Sequence, residues 1–113
     1  MEDGKIIPGD LDSSLLTEER IKVKKPDMYR IVLLNDDYTP RDFVVWILMR
    51  VFYKTQQESS SIMLEAHTTG KSSIGVYTYD EATTKIEQVD KIAKQYEHPL
   101  QCILEVESGG EEE

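Results

Sequence analysis

The chain has 113 residues and a mass of 13.0 kDa, which suits one domain because domains commonly run to roughly 100–150 residues. Its formal net charge is −9, which argues against a protein that binds nucleic-acid phosphates or anionic membranes. No apolar run approaches the roughly 20 residues of a transmembrane helix, and the N-terminus lacks the layout of a secretory signal. Because Cys102 is the single cysteine, the sequence predicts a protein of a reducing, cytoplasmic compartment.

The acidic excess is concentrated at the C-terminal end. Residues 105–113 hold five acids and no base, whereas residues 28–104 hold ten acids and eight bases. Residues 108–113 have too few apolar side chains to order themselves, so we expect a disordered acidic tail. Residues 1–27 also lack a regular apolar pattern and are expected to form a flexible arm, either without a role or in contact with a partner. The predicted folded domain is therefore 28–107.

The first half of this domain predicts a strand followed by two helices. Residues 29–34, YRIVLL, are an apolar, β-branched run typical of a buried strand. A helix is predicted over 40–53, with Thr39 as its N-cap and a proline as its first residue. The capping-box sequence T-x-x-E at 55–58 then begins a second helix, which Gly70 ends.

The second half predicts a strand, a helix and a strand. The strand at 73–77 is followed by a helix whose N-cap is either Thr78 or Asp80. Residues 100–107 alternate in polarity, which predicts a half-exposed strand with Val106 on its apolar side. The order β-α-α-β-α-β predicts an α+β fold, in which a three-stranded sheet needs its helices to complete a core.

Two polar features are candidates for a site, and each has a purely structural alternative. Asn35, Asp36 and Asp37 form a loop where ligands are often held, but Asx residues also favour turns. His67 lies at the end of the second helix, where a histidine also interacts favourably with the helix dipole. An acid/base or metal set drawn from these residues has no phosphate loop, nucleophile elbow or second histidine at ligand spacing to support it. The sequence therefore predicts no enzyme, no cofactor and no metal site.

Four segments of the sequence form a specific combination. They are MYRIVLLNDDYTPRDFV from Met28, IMLEAHTTGK from Ile62, GVYT from Gly75 with the helix that follows, and EHPLQCILE from Glu97. Together they resemble the ClpS family, the adaptors that present N-degron substrates to Clp-type AAA+ unfoldases. The resemblance extends over about residues 28–107 and implies a three-stranded antiparallel sheet packed on three helices.

The resemblance also implies a function. The protein would bind the free N-terminus of proteins that begin with Leu, Phe, Tyr or Trp and deliver them to the unfoldase for degradation. The alternative is a docking modulator that inhibits other substrates of the unfoldase without delivering N-degrons. The implied partners are the N-terminal domain of the unfoldase and the N-degron substrates, without nucleic acid or membrane. Residues 1–27 correspond to the arm that the family needs for substrate delivery.

Three sets of site residues follow from the resemblance, position by position. The α-amino group and the first peptide unit would be held by Asn35, Asp36 and His67, with Asp37 and Thr39 shaping the same loop. The apolar pocket would be lined by Val44, Met63, Ala66 and Leu100, with Leu34 at its edge and Arg41 at its gate. The surface that docks on the unfoldase would contain Tyr77, Thr78, Asp80 and Lys85.

The chain departs from the family pattern at three of these positions. Arg41 stands where many members have methionine, Ala66 where valine is frequent, and Asp80 where glutamate is frequent. Two interpretations of Arg41 stay open from the sequence. It is either a solvated charge on the helix or a guanidinium over the pocket mouth, where it would meet an aromatic or acidic group of the ligand.

Overall fold

The computed structural model describes residues 27–108, so the predicted arm and acidic tail fall largely outside the described residues. The elements are β1 (Met28–Leu34), α1 (Arg41–Phe52), α2 (Gln56–Thr69), β2 (Lys71–Thr78), α3 (Tyr79–Gln95) and β3 (Gln101–Ser108). The predicted β-α-α-β-α-β order and the α+β class are confirmed. Within the described residues, no helix combines the length and the apolar content needed to cross a bilayer.

The three strands form an antiparallel sheet in the order β2-β1-β3. The central position of β1 explains its unbroken apolar run, because Ile31, Val32 and Leu33 are all at most 3% exposed. At the C-terminal end of β1, Leu34 pairs with Lys71 of β2 and with Gln101 of β3. The loop after β1 therefore begins beside the residues that precede β2 and β3, which are the end of α2 and Leu100.

The helices complete the core of the domain. α2 and α3 contact the sheet, and α1 packs against both of these helices. Apolar side chains from every element meet in one cluster, which includes Ile31, Leu33, Ile47, Leu48, Val51, Ala66, Ile74, Val89, Ala93 and Cys102. Burying a large apolar side chain contributes roughly 1.5–3 kcal/mol, so this cluster holds the helix ends and the strand ends in fixed relative positions.

Two helix N-termini carry capping boxes. Thr55 caps α2 with Glu58, as predicted, since the hydroxyl of Thr55 accepts from the backbone N–H of Glu58 at 3.0 Å. Of the two predicted caps of α3, the structure has Thr78, which forms a second box with Glu81. α2 ends at Gly70, whose φ of +100° is the left-handed conformation that favours glycine.

The predicted start of α1 is wrong by one residue. Pro40, rather than Thr39, is the N-cap, with an extended backbone (φ −60°, ψ 143°) and no side-chain capping bond. The hydroxyl of Thr39 instead donates to the carboxylate of Asp36, within the loop that precedes the helix. At the other end of α1, Tyr53 lies outside the helix and takes a positive φ of 57°.

Val106 is a second difference from the predicted pattern. Its side chain is 67% exposed, although the alternation of β3 places it on the side of Leu104 and Cys102. Val106 pairs with Tyr29 at the beginning of β1, next to a register shift in the ladder. The alternating pattern of β3 thus continues beyond the part of the strand that the helices cover.

Candidate functional site

The loop between β1 and α1 is organised by the carboxylate of Asp36. Its Oδ1 accepts from the backbone N–H groups of Tyr38 and Thr39 at 2.8 and 2.7 Å, and its Oδ2 accepts from the Thr39 hydroxyl at 2.9 Å. This is the local turn chemistry that Asx residues favour. The turn and site interpretations of this segment are therefore compatible, because the turn fixes the loop that also carries Asn35.

A backbone hydrogen bond joins this loop to the end of α2. The N–H of Asn35 donates to the carbonyl of Gly70 at 3.0 Å, and the N–H of Gly70 donates to the carbonyl of Ala66 at 2.8 Å. Since His67 directly follows Ala66, these two bonds hold the last turn of α2 against the start of the loop. This connection brings Asn35 and His67 together, although they are 32 positions apart in the chain.

One cavity of about 330 Å³ lies where α1, α2 and this loop meet. All eleven residues predicted for the amine site and the apolar pocket line it: Leu34, Asn35, Asp36, Asp37, Thr39, Arg41, Val44, Met63, Ala66, His67 and Leu100. Three further lining residues, Leu33, Tyr38 and Pro40, were not predicted. Tyr38 is 83% exposed, and an aromatic residue in a polar loop is the one sequence signal that could have pointed to it.

The cavity has an apolar wall and a polar rim. Val44, Ala66 and Leu100 are buried, at 7%, 2% and 4% exposure, and Met63 is half-buried beside them. Met63 lies four residues before His67 on α2, so both side chains project from the same side of that helix. The arrangement offers a hydrophobic surface for an apolar group directly beside hydrogen-bond acceptors.

Arg41 and His67 are in direct contact at the rim. The guanidinium Nη2 of Arg41 lies 2.7 Å from Nε2 of His67. Because a guanidinium has no acceptor and keeps its protons, Nε2 must be the acceptor of this bond. His67 is then neutral in this arrangement, with its proton on Nδ1. The geometry therefore places Arg41 at the mouth of the cavity rather than in solvent away from it.

The residues predicted for docking gather at the other end of α1. Lys85 donates from Nζ to the carbonyl of Val51 in the last turn of α1 at 3.0 Å, and it lies 5.7 Å from the ring centre of Tyr77. Burial raises the pKa of Tyr77, with a smaller contribution from the charge of Glu81. Thr78 and Asp80 begin α3 next to this pair. Tyr53, which was not predicted, is 82% exposed with its ring centre 5.1 Å from Lys85 Nζ.

The described residues offer little for metal or thiolate chemistry. Within residues 27–108, no three His, Cys, Asp or Glu side chains are grouped as metal ligands. Cys102 is buried, and burial raises the pKa of its thiol to about 12, with a smaller contribution from Asp90. A thiol with this pKa is not a nucleophile near neutral pH.

Comparison with known proteins shows which family this chain belongs to. A family model described as the ATP-dependent Clp protease adaptor protein ClpS matches residues 24–103. The ClpS adapter of Hyphomonas neptunium is 54% identical over 93 residues, which are 82% of this chain and 79% of that protein. The ClpS adapter of Burkholderia mallei is 49% identical over 100 residues, covering 88% of this chain and 96% of the relative.

A solved structure of Agrobacterium tumefaciens ClpS2 bound to L-phenylalaninamide superposes with a TM-score of 0.72 and 36% identity. The match covers 74% of this chain and 100% of that one. The resemblance stated from the sequence is thus confirmed. ClpS adaptors partner with the AAA+ chaperones of Clp proteases. The chain belongs to the ClpS family of ATP-dependent Clp protease adaptors, and it is therefore an adaptor rather than an enzyme.

Proposed function

We propose that this adaptor binds the free α-amino end of proteins that begin with Leu, Phe, Tyr or Trp and delivers them to the Clp unfoldase. The observation that carries the proposal is that a polar rim and an apolar wall share one cavity. The rim contains Asn35, Asp36 and His67, and the wall consists of Val44, Met63, Ala66 and Leu100. A ligand that fills the cavity must present a cationic or donor-rich group next to a large apolar group. The first residue of a protein chain has this combination when it is Leu, Phe, Tyr or Trp.

The polar rim suits an α-ammonium group. An α-amino group has an unperturbed pKa near 7.7–8.0, so it is mostly cationic at pH 7 and presents three donors. Asn35 supplies an acceptor at the rim, His67 supplies a second one once Arg41 has left its Nε2, and the carboxylate of Asp36 supplies the opposite charge. Hydrogen bonds to charged groups contribute about 1.5–3 kcal/mol each, so an acetylated terminus, which has lost its charge and two donors, would bind far more weakly.

The apolar wall suits the first side chain. The volume of about 330 Å³ falls within the range of small-ligand pockets, and three of the four wall residues, Val44, Ala66 and Leu100, are buried. Burying a Leu or Phe side chain there contributes about 1.5–3 kcal/mol. After ordering costs, the polar and apolar contributions together correspond to a roughly micromolar dissociation constant.

The ligand of the Agrobacterium ClpS2 structure supports the same assignment. L-Phenylalaninamide has a free α-amino group, a phenyl side chain and an amide in place of the carboxylate, so it resembles the start of a protein chain. We assign the same type of ligand to the cavity of this chain. We further propose that Tyr77, Thr78, Asp80 and Lys85 dock on the N-terminal domain of the unfoldase, and that residues 1–27 act in delivery.

Fluorescence anisotropy with labelled peptides tests the binding step. Peptides that begin with Phe or Leu should bind with roughly micromolar affinity, and the same peptides with an acetylated N-terminus should bind at least a hundredfold more weakly, the loss of about 2.7 kcal/mol. A peptide that begins with Gly is the control for the apolar wall. Equal affinity of the free and acetylated peptides would overturn the proposal.

A degradation assay tests the delivery step and the alternative function. A reporter that begins with Phe should be degraded by the Clp protease only when the adaptor is added. If the adaptor binds the peptides but slows degradation of all reporters, it is the docking modulator instead.

A further inference from the structure

The guanidinium of Arg41 has no anionic partner in the described part of the chain. Within residues 27–108, the ion pairs join Arg30 to Glu107 and Lys71 to Glu105. The hydrogen-bond partner of Arg41 is instead the neutral imidazole of His67, at the rim of the cavity. A permanent positive charge thus lies at the mouth of the site, held by an uncharged acceptor.

This contact occupies the acceptor that the proposed ligand needs. A neutral imidazole has one acceptor nitrogen, and the other nitrogen carries the proton. While Nε2 of His67 accepts from Arg41, Nδ1 is a donor, so the ring has no second nitrogen for an α-ammonium group. Binding of a chain end through His67 therefore requires Arg41 to leave.

The released side chain stays at the mouth of the cavity. Arg41 is the first residue of α1, and Val44, three residues along the same helix, is part of the apolar wall. The backbone of Arg41 is therefore fixed beside the bound first residue, while its long exposed side chain is free to turn outward. A chain whose first residue fills the cavity has to leave it through the mouth, where Arg41 lies, so its second residue would be the one nearest to Arg41.

We infer that Arg41 contacts the second residue of the bound chain and favours an acidic side chain there. This inference rests on the proposed function, since it concerns the ligand of the same cavity. A guanidinium that has left His67 pairs best with a carboxylate, in bidentate geometry. Aspartate or glutamate at the second position offers this carboxylate, whereas lysine or arginine brings a like charge to the same place.

Three labelled peptides that begin Phe-Glu, Phe-Gln and Phe-Lys test the inference. For the full chain, Phe-Glu should bind about two- to fivefold more tightly than Phe-Gln, the range of an exposed ion pair, and Phe-Lys should bind most weakly. In Arg41→Met this preference should vanish. The Phe-Gln peptide should bind Arg41→Met at least as well as the original chain, because His67 no longer has a competing donor.

Arg50→Met is the matched control. Arg50 lies in the last turn of α1, does not line the cavity and has its guanidinium carbon 5.8 Å from the ring centre of Trp46. Its substitution removes the same charge from the same helix, so it should leave the Glu-to-Gln ratio unchanged. If Arg50→Met and Arg41→Met reduce the ratio equally, the preference is a general charge effect and the inference is overturned.

The remaining outcomes separate the inference from the proposed function. If all three peptides bind, depend on a free N-terminus and show the same Glu-to-Gln ratio in Arg41→Met as in the original chain, the proposed function stands and the inference is overturned. If none of the peptides binds, both fail. Measurement at high salt completes the test, because a preference carried by an exposed ion pair should shrink as ionic strength rises.

Discussion

The two roles of Asp36 can be separated by two substitutions at this position. Asp36→Ala removes the carboxylate that accepts from the backbone N–H groups of Tyr38 and Thr39 and from the Thr39 hydroxyl. Asp36→Asn removes the charge but retains one side-chain oxygen, which can still accept from both N–H groups. We expect the alanine variant to lose the order of the loop, and the asparagine variant to lose only the attraction for an α-ammonium group.

The size of the two effects follows from burial. Thr39 is 8% exposed, so in Asp36→Ala its N–H loses a partner that water replaces poorly, at a cost of about 1–3 kcal/mol. Tyr38 is exposed, and its N–H can be hydrated instead. We therefore expect Asp36→Ala to weaken binding of a Phe-starting peptide about tenfold or more, and Asp36→Asn to weaken it about two- to fivefold, as for a partly screened charge pair.

Fluorescence anisotropy measures both dissociation constants, and thermal unfolding followed by circular dichroism measures the state of the fold. A loss of about 1 kcal/mol should lower the melting temperature of Asp36→Ala by about 4–8 °C, while leaving the domain folded at 25 °C. Asp42→Asn is the control for net charge, because Asp42 is exposed in the first turn of α1 and does not line the cavity.

Two results would refute this reasoning. If Asp36→Ala binds the peptide as well as the original chain does, Asp36 neither orders the loop nor attracts the ligand. If Asp36→Asn loses as much affinity as Asp36→Ala, with an unchanged melting temperature in both, the charge alone accounts for the effect and the loop bonds do not contribute.

Three other predictions concern the wall, the docking surface and the buried thiol. Ala66→Val adds volume to a wall residue that is 2% exposed, so the affinity for Trp- and Phe-starting peptides should fall about fivefold relative to Leu-starting ones in anisotropy titrations. In Gly75→Ala, the new Cβ would lie 3.0 Å from the ring of Tyr77 and would displace that ring. We expect the displacement to weaken unfoldase binding about fivefold or more, as measured by calorimetry, and to leave the peptide affinity unchanged. Because burial holds the pKa of Cys102 at about 12, its alkylation at pH 8 should be more than about a hundredfold slower in buffer than in denaturant.

Each of these has a result that would contradict it. An unchanged order of preference in Ala66→Val would mean that Ala66 does not face the first side chain. If Gly75→Ala binds the unfoldase as tightly as the original chain does, Tyr77 is not part of the docking surface. Rapid alkylation of Cys102 in the native protein would mean that the strand around it opens readily.

The elements of the fold were predictable because local sequence and packing agree. The uninterrupted run of β1 occupies the centre of the sheet, and the T-x-x-E sequence at 55–58 forms its capping box. The start of α1 was misplaced because Thr39 has two possible partners. A capping threonine accepts from the first turn of its helix, whereas here the hydroxyl of Thr39 belongs to the turn that Asp36 organises, and local propensity does not decide between the two.

The cavity was predictable only in part from the residues themselves. Taken alone, Asn35 could be an ordinary turn residue and His67 an ordinary histidine at a helix end. Only the family pattern assigned both residues to one site. Their proximity arises from the backbone bond between Asn35 and Gly70 and from the antiparallel pairing of β1 with β2, both of which are long-range. The contact between Arg41 and His67 depends on side-chain geometry across two helices, so the sequence left two interpretations of Arg41 open.

Helix α1 separates the two groups of predicted site residues. Its first residue contacts His67, and a carbonyl of its last turn accepts from Lys85. At 1.5 Å per residue, the ten residue steps from Arg41 to Val51 set these points about 15 Å apart along one helix. If both proposed sites are correct, a substrate and the unfoldase bind simultaneously at opposite ends of α1, and transfer of the substrate requires its release from the cavity rather than dissociation of the adaptor from the unfoldase.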